Sequence, residues 1–354
     1  MSDTLPLGII ADSGAPEGST DYTTVVLFHG FAWTSDGFRK MLPFAKAKNA
    51  RIFLVNRRDY PGTTPYSIEE RAEVFAAAVQ GKTDAEEARK ILLPWMKERG
   101  REVHDLLVHI VSQHKIPVAR PENNAGGIVV AGWSFGTTLM SALLANVDSF
   151  PQGDVDLRKY LRRVVFLDPP DIALGIPPLP EVASADNETP IAPERLVREL
   201  SIFYSAYFKH GDVDKPETYE RSTPLADPKP TWYSFTPDEL EAIFHPVPGD
   251  SRGGSDATLM AAAIPCGVFG VLREQALRKG EGSGWEAVEL RQVWADYSIA
   301  PMVWCARELR AEVDKQTKAG AKLRNVSFVR VEGANHVVMW DLPERLLEAL
   351  LCTQ

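Results

Sequence analysis

Six short apolar runs, rich in β-branched residues and closed by turn residues, recur along the chain: "TTVVLFHG", "ARIFLVNR", "GGIVVAGWS", "RRVVFLDPP", "APMVWCA" and "VSFVRVEG". Runs of this length and composition are what strands buried on both faces look like. Helical patterns separate them, over residues 36–48, 68–80, 85–113, 135–146, 309–319 and 343–351. Strands alternating with helices predict an α/β fold: a mostly parallel central sheet flanked by helices on both faces.

The alternation breaks once, between Asp168 and Pro301, a stretch too long for a plain connection. It is proline-rich at first ("LDPPDIALGIPPLPE") and aromatic later, with Phe203, Tyr204, Tyr207, Phe208, Trp232, Tyr233, Phe235 and Phe244. We expect an inserted cap subdomain at 171–298 over the carboxyl end of the sheet, where open α/β sheets bind ligands. The core is then 1–170 and 299–354, and 354 residues suit one large domain carrying such an insert. The longest uncharged run, 257–272, is broken by Pro265 and too short to span a bilayer, so it reads as a buried helix pair.

The charge balance narrows the partners. A net charge of −9 without a dense Lys/Arg block disfavours nucleic acid and leaves small neutral or apolar molecules. Cys266, Cys305 and Cys352 are odd in number and far apart, which argues against a disulfide framework or a zinc site and for a reducing, cytoplasmic location. The amino terminus lacks the basic start and apolar stretch of a secretory signal.

Within "VVAGWSFGTTLMSALLA", Gly132 and Gly136 stand two residues either side of Ser134, between a strand pattern and a helix pattern. That is the setting of a nucleophile elbow, a sharp turn that presents a hydroxyl at the sheet's edge. The bland alternative is an N-cap serine after a glycine turn. A serine needs an adjacent base, and among seven histidines His336 alone follows a late strand and precedes a terminal helix, which Asp341 and Glu344 can open as a capping box. His104, His109 and His114 lie along a long helix without sharing a face and read as surface residues, while His210 and His245 fall in the insert. His29 opens the "HGF" turn, where the backbone N–H of Phe31, with that of Phe135, can form an oxyanion hole.

"LFHGFAWTSDGF", "RRDYPGTTPYS", "GWSFG" and "GANHVVMWDLPE" together resemble the α/β-hydrolase fold superfamily in order and spacing, over almost the whole chain outside the insert. The run "LDPPDIALGIP" is similar to fungal members. The resemblance implies a triad in the order serine, acid, histidine. Its common acid position, in the turn after the strand that follows a cap, holds Glu308 here, with Cys305 where the pattern has glycine. Some branches take the acid from the end of the strand before the cap, which is Asp168, followed by Pro169 and Pro170. Asp168 is preferred, Glu308 is the alternative, and Asp171 and Asp296 remain behind them.

These residues support acyl transfer to water, so the expected activity is hydrolysis of a carboxylic ester, lactone or thioester of a hydrophobic small molecule, with no cofactor and no metal. Trp133, Tyr204, Tyr207 and Phe208 are the expected substrate contacts. Epoxide hydrolase and dehalogenase chemistries are disfavoured, because their elbow nucleophile is an aspartate. Lyase chemistry of the hydroxynitrile lyase kind and a non-catalytic ligand receptor are the rivals.

Overall fold

The computed structural model describes residues 5–180, 193–280, 282 and 284–353. Among these residues seven strands form one sheet: β1 (Gly8–Asp12), β2 (Thr23–Phe28), β3 (Ala50–Asn56), β4 (Ile128–Trp133), β5 (Leu161–Leu167), β6 (Glu289–Ala295) and β7 (Val326–Val331). Their order is β1-β3-β2-β4-β5-β6-β7, with β1 antiparallel to β3 and every other pairing parallel. The chain moves outward from β2 to β3 and then returns to place β4 on the other side of β2. The carboxyl ends of β2 and β4 therefore flank a topological switch point, where a crevice opens in sheets of this kind.

Among the described residues there are ten α-helices: α1 (Ile68–Gln80), α2 (Ala85–His114), α3 (Thr137–Asn146), α4 (Pro193–Tyr204), α5 (Pro237–Ile243), α6 (Ser255–Cys266), α7 (Val268–Leu277), α8 (Ala300–Lys318), α9 (Val338–Asp341) and α10 (Pro343–Leu351). Alternate strand residues feed opposite cores. Val26, Phe28, Val130 and Phe166 pack on one face with α2 and α3, whereas Val25, Leu27, Val129 and Val165 pack on the other with α10.

Five of the six expected strands are present. The exception is "APMVWCA", which forms the first turns of α8, with Pro301 in the opening turn. Ala300 and residues 302–306 are buried. A helix end surrounded by protein is apolar on every side and so carries no periodic signature. The true neighbour of β5 is β6, "ELRQVWA", whose Arg291 and Gln292 are fully buried. Arg291 is satisfied by Glu289 and by the carbonyls of Ala349 and Cys352, which ties the strand to the chain's end. Because β6 belongs to the sheet, the stretch between β5 and β6 ends before Glu289, ten residues short of the expected boundary at 298; residues 181–192 of it lie outside the described residues.

The capping box expected at Asp341 is not formed: Leu342 is the N-cap of α10, and the Asp341 carboxylate accepts from Tyr207 and Thr231. The run 257–272 is indeed two helices, α6 and α7, bent by 77° at Gly267, whose φ of +72° suits a residue without a Cβ. Among the described residues no single helix is long and apolar enough to cross a membrane, though this bent pair matches one in length and composition. Much of the pair is buried in a cluster with Val74, Trp95 and Phe135.

Gly100 shows how tightly the helical layer sits. A Cβ there would lie 2.6 Å from the Ala142 carbonyl oxygen on α3. In an exposed helix interior Gly→Ala gains about 1 kcal/mol. Here the overpacking cost of about 1–3 kcal/mol wins. Gly100→Ala is therefore expected to lower stability by about 1–2 kcal/mol, read as a drop in the urea midpoint; a gain would refute the packing argument.

Candidate active site

Ser134 follows β4 directly and has a left-handed backbone, φ +53°. A non-glycine residue in that region costs on the order of 1–3 kcal/mol and persists only where its surroundings impose it. Two close approaches do so. A Cβ on Gly132 would fall 2.3 Å from the Gly136 carbonyl oxygen, and one on Gly136 would fall 2.4 Å from that of His29. Strand, turn and helix thus pack backbone to backbone, and the spacing seen in the sequence is a steric requirement. The elbow also abuts the turn after β2, since a Cβ on Gly30 would meet the Ser134 Cβ at 2.8 Å.

His336 lies in the turn between β7 and α9 and is 2% exposed. Its Nδ1 donates to the Asp168 carboxylate across 2.7 Å. That leaves Nε2 as the nitrogen free to accept a proton. Asp168 closes β5 with φ +44° and is held from three sides. Its backbone N–H bonds the Val293 carbonyl at 2.7 Å, Oδ1 accepts the Ala295 N–H at 2.9 Å, and Oδ2 accepts the Ser298 hydroxyl. On the other side of the imidazole, the Trp133 ring lies 4.8 Å away, and its indole N–H donates to the His336 carbonyl at 2.8 Å.

Ser134 and His336 line one cavity of about 30 Å³, together with Phe31, Trp33, Trp133, Val197, Ser201 and Tyr204. Two expected substrate contacts, Trp133 and Tyr204, are therefore at the cavity, and two are not. Tyr207 turns its hydroxyl to Asp341 at 2.6 Å, and Phe208 is fully buried in a small cluster with Ile299 and Met302. Both lie beyond the end of α4, whose Val197, Ser201 and Tyr204 line the cavity. Trp33 and Val197 had not been singled out. Trp33 stands two residues after Phe31, near enough in sequence to have been included, whereas nothing around Val197 marks it.

The other acids are engaged elsewhere. Glu308 sits within α8 paired with Arg307, because the segment expected to be a strand is a helix. The turn after β6 instead offers Asp296, whose carboxylate takes Arg330 at 2.6 Å and the Gly333 N–H at 2.6 Å. Asp171 is buried and bonds the Ile172 N–H at 2.7 Å, and burial pushes its carboxyl up to about 6.

His29, His104, His210 and His245, outside the site, have structural partners. His29 donates from Nδ1 to the Gly30 carbonyl and accepts the Arg57 N–H at Nε2, and burial holds its pKa well below the ordinary range. His210 is likewise bonded to Ser298 O and Glu220 N–H, and His245 packs against Tyr60. His104 is buried against Phe150 and not on the surface. Among the described residues no group of three or more His, Cys, Asp or Glu side chains is disposed to hold a metal ion.

A mostly parallel sheet with a left-handed serine after the strand at its switch point, sharing a cavity with a histidine bonded to a strand-end aspartate, has the form of the α/β-hydrolase fold. The chain belongs to the alpha/beta hydrolase family, whose sequence model matches residues 25–349. Similar solved structures include a bromoperoxidase from Bacillus anthracis, at 14% identity over 96% of this chain and 92% of that one, with a TM-score of 0.45. A carboxylesterase structure from the thaumarchaeon Nitrososphaera gargenis is 11% identical over 99% and 94%, TM-score 0.48, and potato epoxide hydrolase I is 13% identical over 96% of each chain, TM-score 0.44. No curated protein matches the chain in sequence.

Asp171 yields a pH prediction. Its folded pKa of about 6 lies above the ordinary carboxyl value of 3.8, so the native state binds the proton more tightly. The stability this confers is present below pH 4 and is lost as pH rises through 6, a change on the order of 2 kcal/mol. Asp171→Asn should therefore be more stable than wild type at pH 7.5 by that order and lose the advantage near pH 4. Urea midpoints at the two pH values check it, and a pH-independent difference would count against the assignment.

Proposed function

We propose that the protein is a serine hydrolase that cleaves a carboxylic ester, lactone or thioester of a hydrophobic small molecule. The reading is carried by the 2.7 Å bond between His336 and Asp168 beside a cavity that His336 shares with Ser134. Membership of the alpha/beta hydrolase family supports hydrolysis in general; the bond cleaved is our inference from the site.

In this mechanism Asp168 fixes the imidazole with Nδ1 protonated and Nε2 as base. Nε2 takes the Ser134 proton as Oγ attacks the substrate carbonyl, and the backbone N–H groups of Phe31 and Phe135 receive the oxyanion. The imidazolium, stabilised by Asp168, returns the proton to the leaving alcohol as the tetrahedral intermediate collapses to an acyl-serine. Water then repeats the sequence and releases the acid. Residues 171–288 act as the cap, with α4 forming the wall over Ser134, and the aromatic walls of Phe31, Trp33, Trp133 and Tyr204 favour an apolar acyl or aryl group. Three unpaired cysteines, two of them buried, fit residence in a reducing cytoplasm.

A fluorophosphonate probe is expected to label wild type and not Ser134→Ala. On p-nitrophenyl esters of graded length, Asp168→Asn should lower kcat by about 10³–10⁴, while Glu308→Gln stays within twofold. Equal mild losses in the two variants would remove Asp168 from the triad. A wild type that takes no label at Ser134 would leave the hydrolase reading without support and favour a ligand receptor.

A further inference from the structure

The described donors and acceptors next to the serine include a buried network that the proposed chemistry does not itself use. Arg57 follows β3 immediately, and its Nη2 donates to the Gly30 carbonyl at 2.8 Å. Its guanidinium is gripped by Asp256 on α6, with Nη1 to Oδ1 at 2.8 Å and Nη2 to Oδ2 at 2.6 Å. Tyr60 closes the ring, donating to Asp256 Oδ2 at 2.7 Å while accepting the Ala32 N–H at 2.9 Å. Arg57 and Asp256 are both buried. The guanidinium carbon lies 5.6 Å from the centre of the Phe135 ring.

A peptide is planar and trans, so its C=O and N–H point in opposite directions. The Gly30 carbonyl belongs to the same peptide as the Phe31 N–H. Two donors, Arg57 Nη2 and His29 Nδ1, hold that carbonyl, and this fixes the direction of the N–H on the other side of the peptide. The next amide, Ala32, is held by Tyr60 at φ +59°. The turn beside Ser134 is thus held on one side by Arg57 of an ion pair and on the other by Tyr60, which bonds the same acid, Asp256, from the stretch between β5 and β6.

We propose that Arg57, with Asp256 and Tyr60, is a positioning network that sets the Phe31 N–H as oxyanion donor and couples it to the docking of α6. The inference rests on the hydrolase reading above. None of the three residues lines the cavity at Ser134. Their effect is on the transition state, where charge develops on the carbonyl oxygen, and not on ground-state binding. Removing one oxyanion donor costs about 10²–10³ in kcat, which bounds the effect of letting the peptide turn.

The test uses the full chain with p-nitrophenyl butyrate. Arg57→Met is expected to lower kcat about 100-fold with KM within threefold, and Asp256→Asn to lower it less. Affinity for a trifluoromethyl ketone, which forms a tetrahedral adduct on serine, should fall in parallel with kcat, while affinity for butyrate stays unchanged. A folded Arg57→Met with kcat within threefold of wild type, or with KM and butyrate affinity weakened as much as kcat, would overturn the proposal. If Arg57→Met does not fold, Asp256→Asn and Tyr60→Phe are read by the same criteria. If wild type neither hydrolyses the ester nor labels at Ser134, it is the hydrolase reading that has failed. Hydrogen exchange at the Phe31 and Ala32 amides then decides for the clamp: exchange at least tenfold faster in the variants supports it, and unchanged exchange refutes it.

Discussion

Everything at the site depends on backbone approaching backbone where no Cβ fits. Gly132 lies against the carbonyl of Gly136, Gly136 against that of His29, and Gly30 against Ser134 itself. The first closes the turn after β4 on itself, the other two join it to the turn after β2 across the switch point of the sheet, and together they hold Ser134 in a conformation it would not adopt alone. The strain is local, and the surrounding sheet is what sustains it. Val129 and Val130 pack into opposite cores, so β4 is fixed from both faces before the chain reaches the turn.

The histidine arrives by a different route, and two aspartates divide the work of holding it. Asp296, at the end of β6, takes the Gly333 N–H and Arg330 and so anchors the turn that leads to position 336. Asp168, at the end of the neighbouring β5, takes the imidazole itself. Adjacent parallel strands end at similar depth, so a carboxylate on either one can approach the same loop. The structure commits Asp296 to the loop's backbone and to a guanidinium, which leaves Asp168 as the partner of the ring. Its two prolines follow at once, and Pro169 has no N–H to extend a ladder beyond that point.

Much of this was legible in the sequence, and the gaps have physical causes. Strands β2, β3, β4, β5 and β7 are apolar runs with turn residues at their ends, and the elbow and the histidine turn carry their own spacing. Strand β6 was not legible because its middle holds Arg291 and Gln292, residues that a pattern of apolar burial assigns to the surface. Only the three-dimensional position of Glu289 and of the carbonyls of Ala349 and Cys352 makes a buried guanidinium there tolerable. Losing β6 shifted the expected strand to "APMVWCA" and with it the alternative acid to Glu308. Asp168 could be located at a strand end because the apolar run of β5 places that strand correctly. Tyr207 and Phe208 pack away from the cavity at Ser134: aromatic side chains in a large insert serve its packing as readily as a binding wall, and sequence cannot say which.

The same reasoning explains why the network around Arg57 gave no signal. Its members come from three separate places, the end of β3, the turn after it, and α6 some two hundred residues further on, and no local spacing links them. What joins them is desolvation. A buried guanidinium without its carboxylate would be costly, so Arg57 and Asp256 have to meet once α6 packs against α1, and the pair then has one Nη2 proton left for a carbonyl within reach. That carbonyl is Gly30. A charge pair forced together by burial therefore fixes the orientation of a peptide that faces the serine, and the geometry of the elbow is tied to a helix far from it in sequence.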